Sequence, residues 1–358
     1  MIDWLLLFIP ITALLEVAAP KEHGWIFISS ALAIVPLAGW MGRATEHLAE
    51  RTGEGVGGLL NATFGNAAEL IIGIAALRAG LYEVVKASIA GSILGNILLV
   101  LGAAMLAGGL RFKEQHYNAV AARSQSTLLA LAAIALTFPA LYHAALGAES
   151  AKLHQDLSLT FSVILLGTYA LSLVFQLVTH KALFAGHRED AGEGPAPWTV
   201  ARSVLVLVAA TALIAWMSEV LVGAVEPAAR AFGMNKVFIG VIIIALLGNA
   251  AEHFTAITVA RKNRMDLSLS IALGSSVQVA LFIAPVLVLL SHVLGPAPMD
   301  LALRPALVLI VFLSILIAAQ IAGDGESNWL KGASLLVVYL IIAIAFYYAP
   351  MGASVLPR

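Results

Sequence analysis

Apolar runs close to the roughly 20 residues that a helix needs to cross a bilayer follow one another along nearly the whole chain, separated by short polar breaks. Lipid offers no partner to a bare N–H or C=O, so such runs fold as helices that satisfy their own backbone. Charged residues make up 11% of the chain and mean hydropathy is +0.95, whereas soluble domains carry about 25% charged residues. The chain is therefore expected to be an integral membrane protein with no room for a sizeable soluble domain. A net charge of −1 argues against a nucleic-acid partner, and the absence of cysteine excludes disulfides, thiolate metal sites and cysteine nucleophiles.

Read between the breaks, the runs predict eleven helices near residues 2–19, 24–43, 55–78, 83–109, 119–145, 156–180, 200–225, 234–261, 265–293, 301–321 and 328–349, an all-α polytopic fold. The first of them reads as a retained helix rather than a signal peptide, because Asp3 stands where a basic n-region is expected and Glu16 where a small-residue cleavage site would lie. Alternating sides from a cytoplasmic N-terminus puts 12 Lys and Arg inside (Arg43, Arg51, Arg111, Lys113, Arg123, Lys181, Arg188, Arg202, Arg261, Lys262, Arg264, Lys331) against 8 outside. That bias favours N-in and C-out. The segment Gly186–Pro197 has clear loop composition and reads as a mildly acidic cytoplasmic linker between two halves.

Within this apolar background, Gly65-Asn66-Ala67-Ala68-Glu69 returns as Gly248-Asn249-Ala250-Ala251-Glu252. An acidic side chain at the centre of a membrane helix costs roughly 2.5–3.5 kcal/mol even on the lenient insertion scale, so a matched pair suggests a cation site. Gly91-Ser92 follows the first motif as Gly274-Ser275 follows the second, and both the glutamates and the serines are offset by 183 (252 − 69 and 275 − 92). Thr45-Glu46 and Ser218-Glu219 correspond more loosely. The motif helices are five spans apart, an odd number of crossings, so the halves are expected to be inverted repeats. Such repeats are the pattern of secondary transporters, with the site between them and access alternated by rocking. The division is a leading helix at 1–19, five-helix repeats at 24–183 and 200–350, and the linker at 184–199.

Asn and Glu three apart share a helical face, so each motif helix offers an amide oxygen beside a carboxylate. The next helices add Ser88, Ser92 and Asn96, and Ser275, Ser276 and Gln278. This all-oxygen set with two carboxylates fits Ca2+, whereas zinc prefers His or Cys and magnesium retains more of its water. Small residues and polar glue at helix contacts account equally well for Gly91, Gly95, Ser88 and Ser276. His253 lies about 100° around its helix from Glu252 and reads as a neighbour that steadies the ligands rather than a ligand. Glu16 reads as interfacial. The chain lacks a His-Glu-x-x-His helix, and a channel or metalloenzyme is a weaker reading than a transporter.

These residues resemble the calcium/cation antiporter superfamily and, within it, the H+/Ca2+ exchanger (CAX) family. The resemblance rests on the paired motifs, including Gly91-Ser92-Ile93-Leu94-Gly95-Asn96, His253 after Glu252, and Gly274-Ser275-Ser276-Val277-Gln278. It implies Ca2+ export against H+ entry with no resident cofactor and no enzymatic activity. Glu69 and Glu252 would alternate between Ca2+ and protons, with Asn66, Asn249, Ser92, Ser275, Asn96 and Gln278 completing or bordering the site and Glu46 and Glu219 at the cytoplasmic mouth. The sodium-exchanging branch has hydroxyl-rich motifs and a proline before the Glu, whereas here that proline is absent and Asn replaces hydroxyls. Long N-terminal extensions of vacuolar members are also missing, which points to a prokaryotic plasma membrane. Sodium or another counter-ion on the same scaffold remains the alternative, and association into a homo-oligomer is left open.

Overall fold

A computed structural model describes residues 3–52, 54–146, 151–184 and 198–348, so the linker expected at Gly186–Pro197 lies outside the described residues. The described chain is almost entirely helical. Its helices are α1 (Phe8–Ala18), α2 (His23–Thr52), α3 (Glu54–Phe64), α4 (Ala67–Arg78), α5 (Tyr82–Gly109), α6 (Ala119–Leu146), α7 (Lys152–Thr179), α8 (Val200–Phe232), α9 (Lys236–Gly248), α10 (Ala250–Ala260), α11 (Met265–Leu294), α12 (Pro305–Ala322) and α13 (Trp329–Tyr348). Two short strands, β1 (Gln115–His116) and β2 (Glu326–Ser327), pair antiparallel. Eight of the described helices are long and apolar enough to cross a membrane, nine if the bent pair α9 and α10 is one span. The eleven crossings expected from sequence would also require the shorter α1 and the broken α3–α4.

Boundaries shift where the tertiary structure overrides local polarity. Helix α2 continues through Arg43 to Thr52, because its last turns pack beside the start of α8. His47 lies 4.7 Å from the Trp198 ring, and the Arg202 guanidinium covers that ring at 4.3 Å. At the other end of the pair, a Cβ on Gly24 would stand 3.0 Å from the Phe232 ring, so α2 and α8 run antiparallel.

Loop contacts sort the connections between two ends of the bundle. One end gathers Asp3 on Trp40 and Arg43, Asn118 on Leu183, Gln115 on Ala260, Arg123 on Gly323, and the β1–β2 ribbon. The other gathers Arg78 on Glu219, Tyr82 on Ala297, Ser158 on Leu301 and Asn235 on Phe346. Segment α3–α4 runs from the first end to the second, and α9–α10 runs back.

Contacts are exchanged between the halves in pairs. Helix α4 packs on α8 as α10 packs on α2, α4 on α11 as α10 on α5, and α7 on α11 as α13 on α5. Two fastenings cross between them. Near the second end, the first turns of α5 hold the segment before α12: Tyr82 Oη donates to the Ala297 carbonyl (2.6 Å), Lys86 pairs with Asp300 (2.5 Å) and Arg304 with Glu83 (2.8 Å). At the first end, Asp266 accepts the Asn118 N–H (2.6 Å), and Gln115 Nε2 donates to the Ala260 carbonyl (2.9 Å).

The buried apolar side chains form two clusters. One is built on α2 and α8 with Ala67, Ala68, Ile72, Ile239 and Ile244; the other holds α5, α6, α10, α11, α12 and α13. They meet along the motif helices.

Candidate functional site

Both motifs interrupt their helices. Glycine and asparagine are weak helix formers, and here a two-residue turn at Gly65-Asn66 separates α3 from α4, while a break at Asn249 bends α9 against α10 by 62°. Each break exposes the N-terminal end of a half-helix in the middle of the bundle, with Glu69 and Glu252 in the first turns of α4 and α10. The partial positive charge of those ends complements carboxylates. On the neighbouring helices, π-helical turns at Gly95–Val100 and Val279–Ile283 sit at nearly the same 183-residue offset. A wider turn re-aims the side chains that precede it, and such turns recur at functional sites.

Each motif glycine seats the carboxylate of the other half. A Cβ on Gly248 would stand 3.1 Å from Glu69 Cγ, and one on Gly65 would stand 3.7 Å from Glu252 Oε1 and 3.6 Å from Gln278 Oε1. The motif serines and asparagines cross in the same way. Ser275 Oγ donates to Asn66 Oδ1 at 2.7 Å, and Asn249 Nδ2 donates to Ser92 Oγ at 3.0 Å.

Beyond these the two halves diverge. Asn66 Nδ2 donates to Gln278 Oε1, Asn96 Nδ2 donates to Ser275 Oγ at 3.0 Å, and His253 Nε2 faces Asn96 Oδ1 at 3.1 Å. The amide oxygen facing it makes His253 Nε2 the donor, so a one-way chain runs from His253 through Asn96, Ser275 and Asn66 to Gln278. Its counterparts in the other half are Leu70, Gly95 and Val279, which cannot form it. Asn66 consequently has its carbonyl occupied, while Asn249 spends both amide hydrogens on Ser92 and the Ala245 carbonyl (3.0 Å) and keeps Oδ1 free.

On the two motif half-helices and their breaks, three acceptor oxygens stay shielded from solvent without a hydrogen-bond partner among the described residues: Glu69 Oε1, Glu252 Oε2 and Asn249 Oδ1. Buried polar atoms are normally satisfied, and an unsatisfied one costs about 1–3 kcal/mol. All the ligand and neighbour positions expected from the motifs converge here. Asn66, Asn96, Asn249, Ser92, Ser275 and His253 are buried, and Glu69, Ser88 and Ser92 line one small cavity.

Glu46 and Glu219 do not share a mouth. Because α2 and α8 are antiparallel, Glu46 lies toward Trp198, whereas Glu219 lies at the opposite end, paired with Arg78 at 3.0 Å and lining a cavity of about 410 Å³ with Glu16 and His23. Correspondence between inverted segments places equivalent residues at opposite ends, so the expectation of one shared mouth fails. The carboxylate seats at Gly65 and Gly248 went unread in the sequence, although glycine at the same place in both motifs was the signal.

Comparison with known proteins agrees with this architecture. The family described as sodium/calcium exchanger protein matches residues 23–178 and 202–348. This chain belongs to that family. A Ca2+/H+ antiporter of Synechocystis sp. is 46% identical over 347 residues, covering 91% of this chain and 93% of its own. A Ca2+/H+ antiporter of Aphanothece halophytica is 45% identical over 97% of this chain and 96% of its own. Among solved structures, native YfkE superposes with a TM-score of 0.83 at 38% identity, over 98% of this chain and all (100%) of that one. The H+/Ca2+ exchanger CAX shares the fold, with a TM-score of 0.72 at 17% identity over 97% of this chain and 90% of that one. The protein is thus an all-α integral membrane protein with the antiporter fold of this family.

Proposed function

We propose that this chain exports Ca2+ from the cytoplasm in exchange for H+ by alternating access, with Glu69 and Glu252 holding either the ion or protons. The observation that carries it is the meeting of the two motif breaks, where Glu69 lies against Gly248 and Glu252 against Gly65, with Glu69 Oε1, Glu252 Oε2 and Asn249 Oδ1 shielded and without partners among the described residues. An oxygen set with two carboxylates suits a divalent ion that takes six to eight oxygens in flexible geometry. Protons that neutralise the same carboxylates expel the ion, which couples the two fluxes through one site. The Ca2+/H+ antiporters at 44–46% identity support the same pair of substrates.

In this reading 1–19 is a leading helix, 24–183 and 200–350 are inverted five-helix repeats, and 184–199 links them. The protein sits in a prokaryotic plasma membrane with a cytoplasmic N-terminus, which places Glu46 near the inner mouth. Ser92, Asn66, Ser275, Gln278 and Asn96 rearrange around the bound ion, and His253 holds Asn96 in place. The test is 45Ca2+ uptake into proteoliposomes under an imposed pH gradient, with Glu69→Gln and Glu252→Gln both expected to abolish it. Normal uptake in either variant would remove the proposal. Uptake that follows a sodium gradient after the pH gradient is collapsed would establish Na+/Ca2+ exchange instead.

A further inference from the structure

The connection between α10 and α11 is a fixed turn. The N–H groups of Lys262 and Arg264 donate to the Val259 carbonyl (3.0 Å each), that of Asn263 donates to Ala260 (3.1 Å), and Asn263 takes the left-handed conformation at φ 60°. The loop after α5 braces this turn. Buried Gln115 donates to the Ala260 carbonyl and to Asn263 Oδ1 (3.0 Å), and Arg111 donates to the Arg261 carbonyl (3.2 Å).

On this backbone stand five exposed cations: Arg111, Lys113, Arg261, Lys262 and Arg264. None of them forms an ion pair among the described residues. Of the acids of the neighbouring loops, Asp266 accepts the Asn118 N–H and Asp324 pairs with Lys331, which leaves Glu114 and exposed Glu326, 3.9 Å from His116, against five cations.

The cations border exposed apolar side chains. Leu110, 73% exposed, immediately precedes Arg111, and exposed Leu267 follows the turn. Phe254, also exposed, lies seven residues before Arg261 on the same face of α10, about 10 Å along the helix. Charges that begin where exposed apolar side chains end lie at headgroup depth.

We propose that this platform binds the headgroups of anionic phospholipids, with the phosphate seated between the 261–264 turn and the 111–113 loop. A basic residue beside an anionic leaflet strengthens association about fivefold, so three together contribute roughly a hundredfold. The surface lies at the C-terminal end of α10, whose first turn carries Glu252, so bound lipid grips one end of a motif helix.

Isothermal titration of the full-length protein in neutral detergent with dioctanoyl phosphatidylglycerol tests this directly, with dioctanoyl phosphatidylcholine as the uncharged comparison. Saturable binding of the first lipid alone is expected. Arg261→Gln/Lys262→Gln/Arg264→Gln should weaken it about a hundredfold at an unchanged melting temperature. Lys113→Gln/Lys262→Gln, whose side chains make no hydrogen bond among the described residues, should weaken it about twenty-five-fold if the triple variant fails to fold. Lys21→Gln/Arg230→Gln at the opposite end should leave it unchanged. Equal binding of both lipids, unchanged binding in the platform variants, or displacement by equimolar inorganic phosphate would each overturn the proposal. The readout is binding, so it does not depend on which ions are transported.

Discussion

Gly248 seats Glu69 across the interface between the halves, and alanine there is the smallest change that tests the seat. The added Cβ would stand 3.1 Å from Glu69 Cγ, 3.5 Å from Cδ and 3.8 Å from Oε1. Carbon atoms in good contact are about 3.5–4.0 Å apart, so Cγ must retreat by roughly half an ångström. Ligand distances at a metal site tolerate only about 0.2 Å, which makes the displacement larger than the coordination can absorb. Overpacking of this kind costs about 1–3 kcal/mol, and if half of it falls on ligand geometry, half-saturation by Ca2+ rises by about twofold to tenfold. Glu69 keeps its charge, so proton coupling should persist. Initial rates of 45Ca2+ uptake against Ca2+ concentration at a fixed pH gradient, with thermal melts of the same preparations, give the measurement. An unaltered half-saturation point in a folded Gly248→Ala protein would refute the seat. Gly65→Ala should behave differently, because its Cβ would stand 2.7 Å from the Asn61 carbonyl oxygen and strain the backbone itself. Its cost should appear as lower thermal stability.

Asn249→Ala removes a free acceptor whereas Asn66→Ala removes an occupied one, so Ca2+ affinity in proteoliposomes should fall further in the first; equal losses would show that the two asparagines act alike. Gly91→Ala would put a Cβ 2.2 Å from the Val241 carbonyl oxygen and force α5 off α9, lowering the melting temperature by the equivalent of about 1–3 kcal/mol or more. Lys86→Met should strand the half-buried Asp300 at a cost of about 1.5–3 kcal/mol, which Lys86→Met/Asp300→Leu should largely recover in chemical melts.

The motif pair was legible because a carboxylate in an apolar run is expensive and its recurrence at one offset is hard to produce by chance. Helix order was legible for the same reason, since apolar runs of membrane length leave few other folds. The unequal roles of Asn66 and Asn249 were not. Their local sequences are identical, and what separates them is the neighbour each amide meets: Gln278 and Ser275 for one, Ala245 and Ser92 for the other. Nor could the sequence show that α2 runs on to Thr52, because the partners that stabilise its last turns, Trp198 and Arg202, lie about 150 residues away. The opposite placement of Glu46 and Glu219 was implicit in the reversed direction of the halves, yet similarity of Thr-Glu and Ser-Glu suggested a common location.

The crossed fastenings set a limit on how the molecule can move. Lys86 and Glu83 of the first half grip Asp300 and Arg304 of the second, while Asp266 and Ala260 of the second grip Asn118 and Gln115 of the first. Swinging one half as a block against the other would tear both grips together. Helices α2 and α8, with α1 packed on them, carry their own apolar cluster and touch the rest along the broken motif helices, so they can slide together while the grips stay closed. The mechanical seam therefore cuts across the repeat: one strut from each half forms the moving slat, and the duplicated remainders are laced into a single frame.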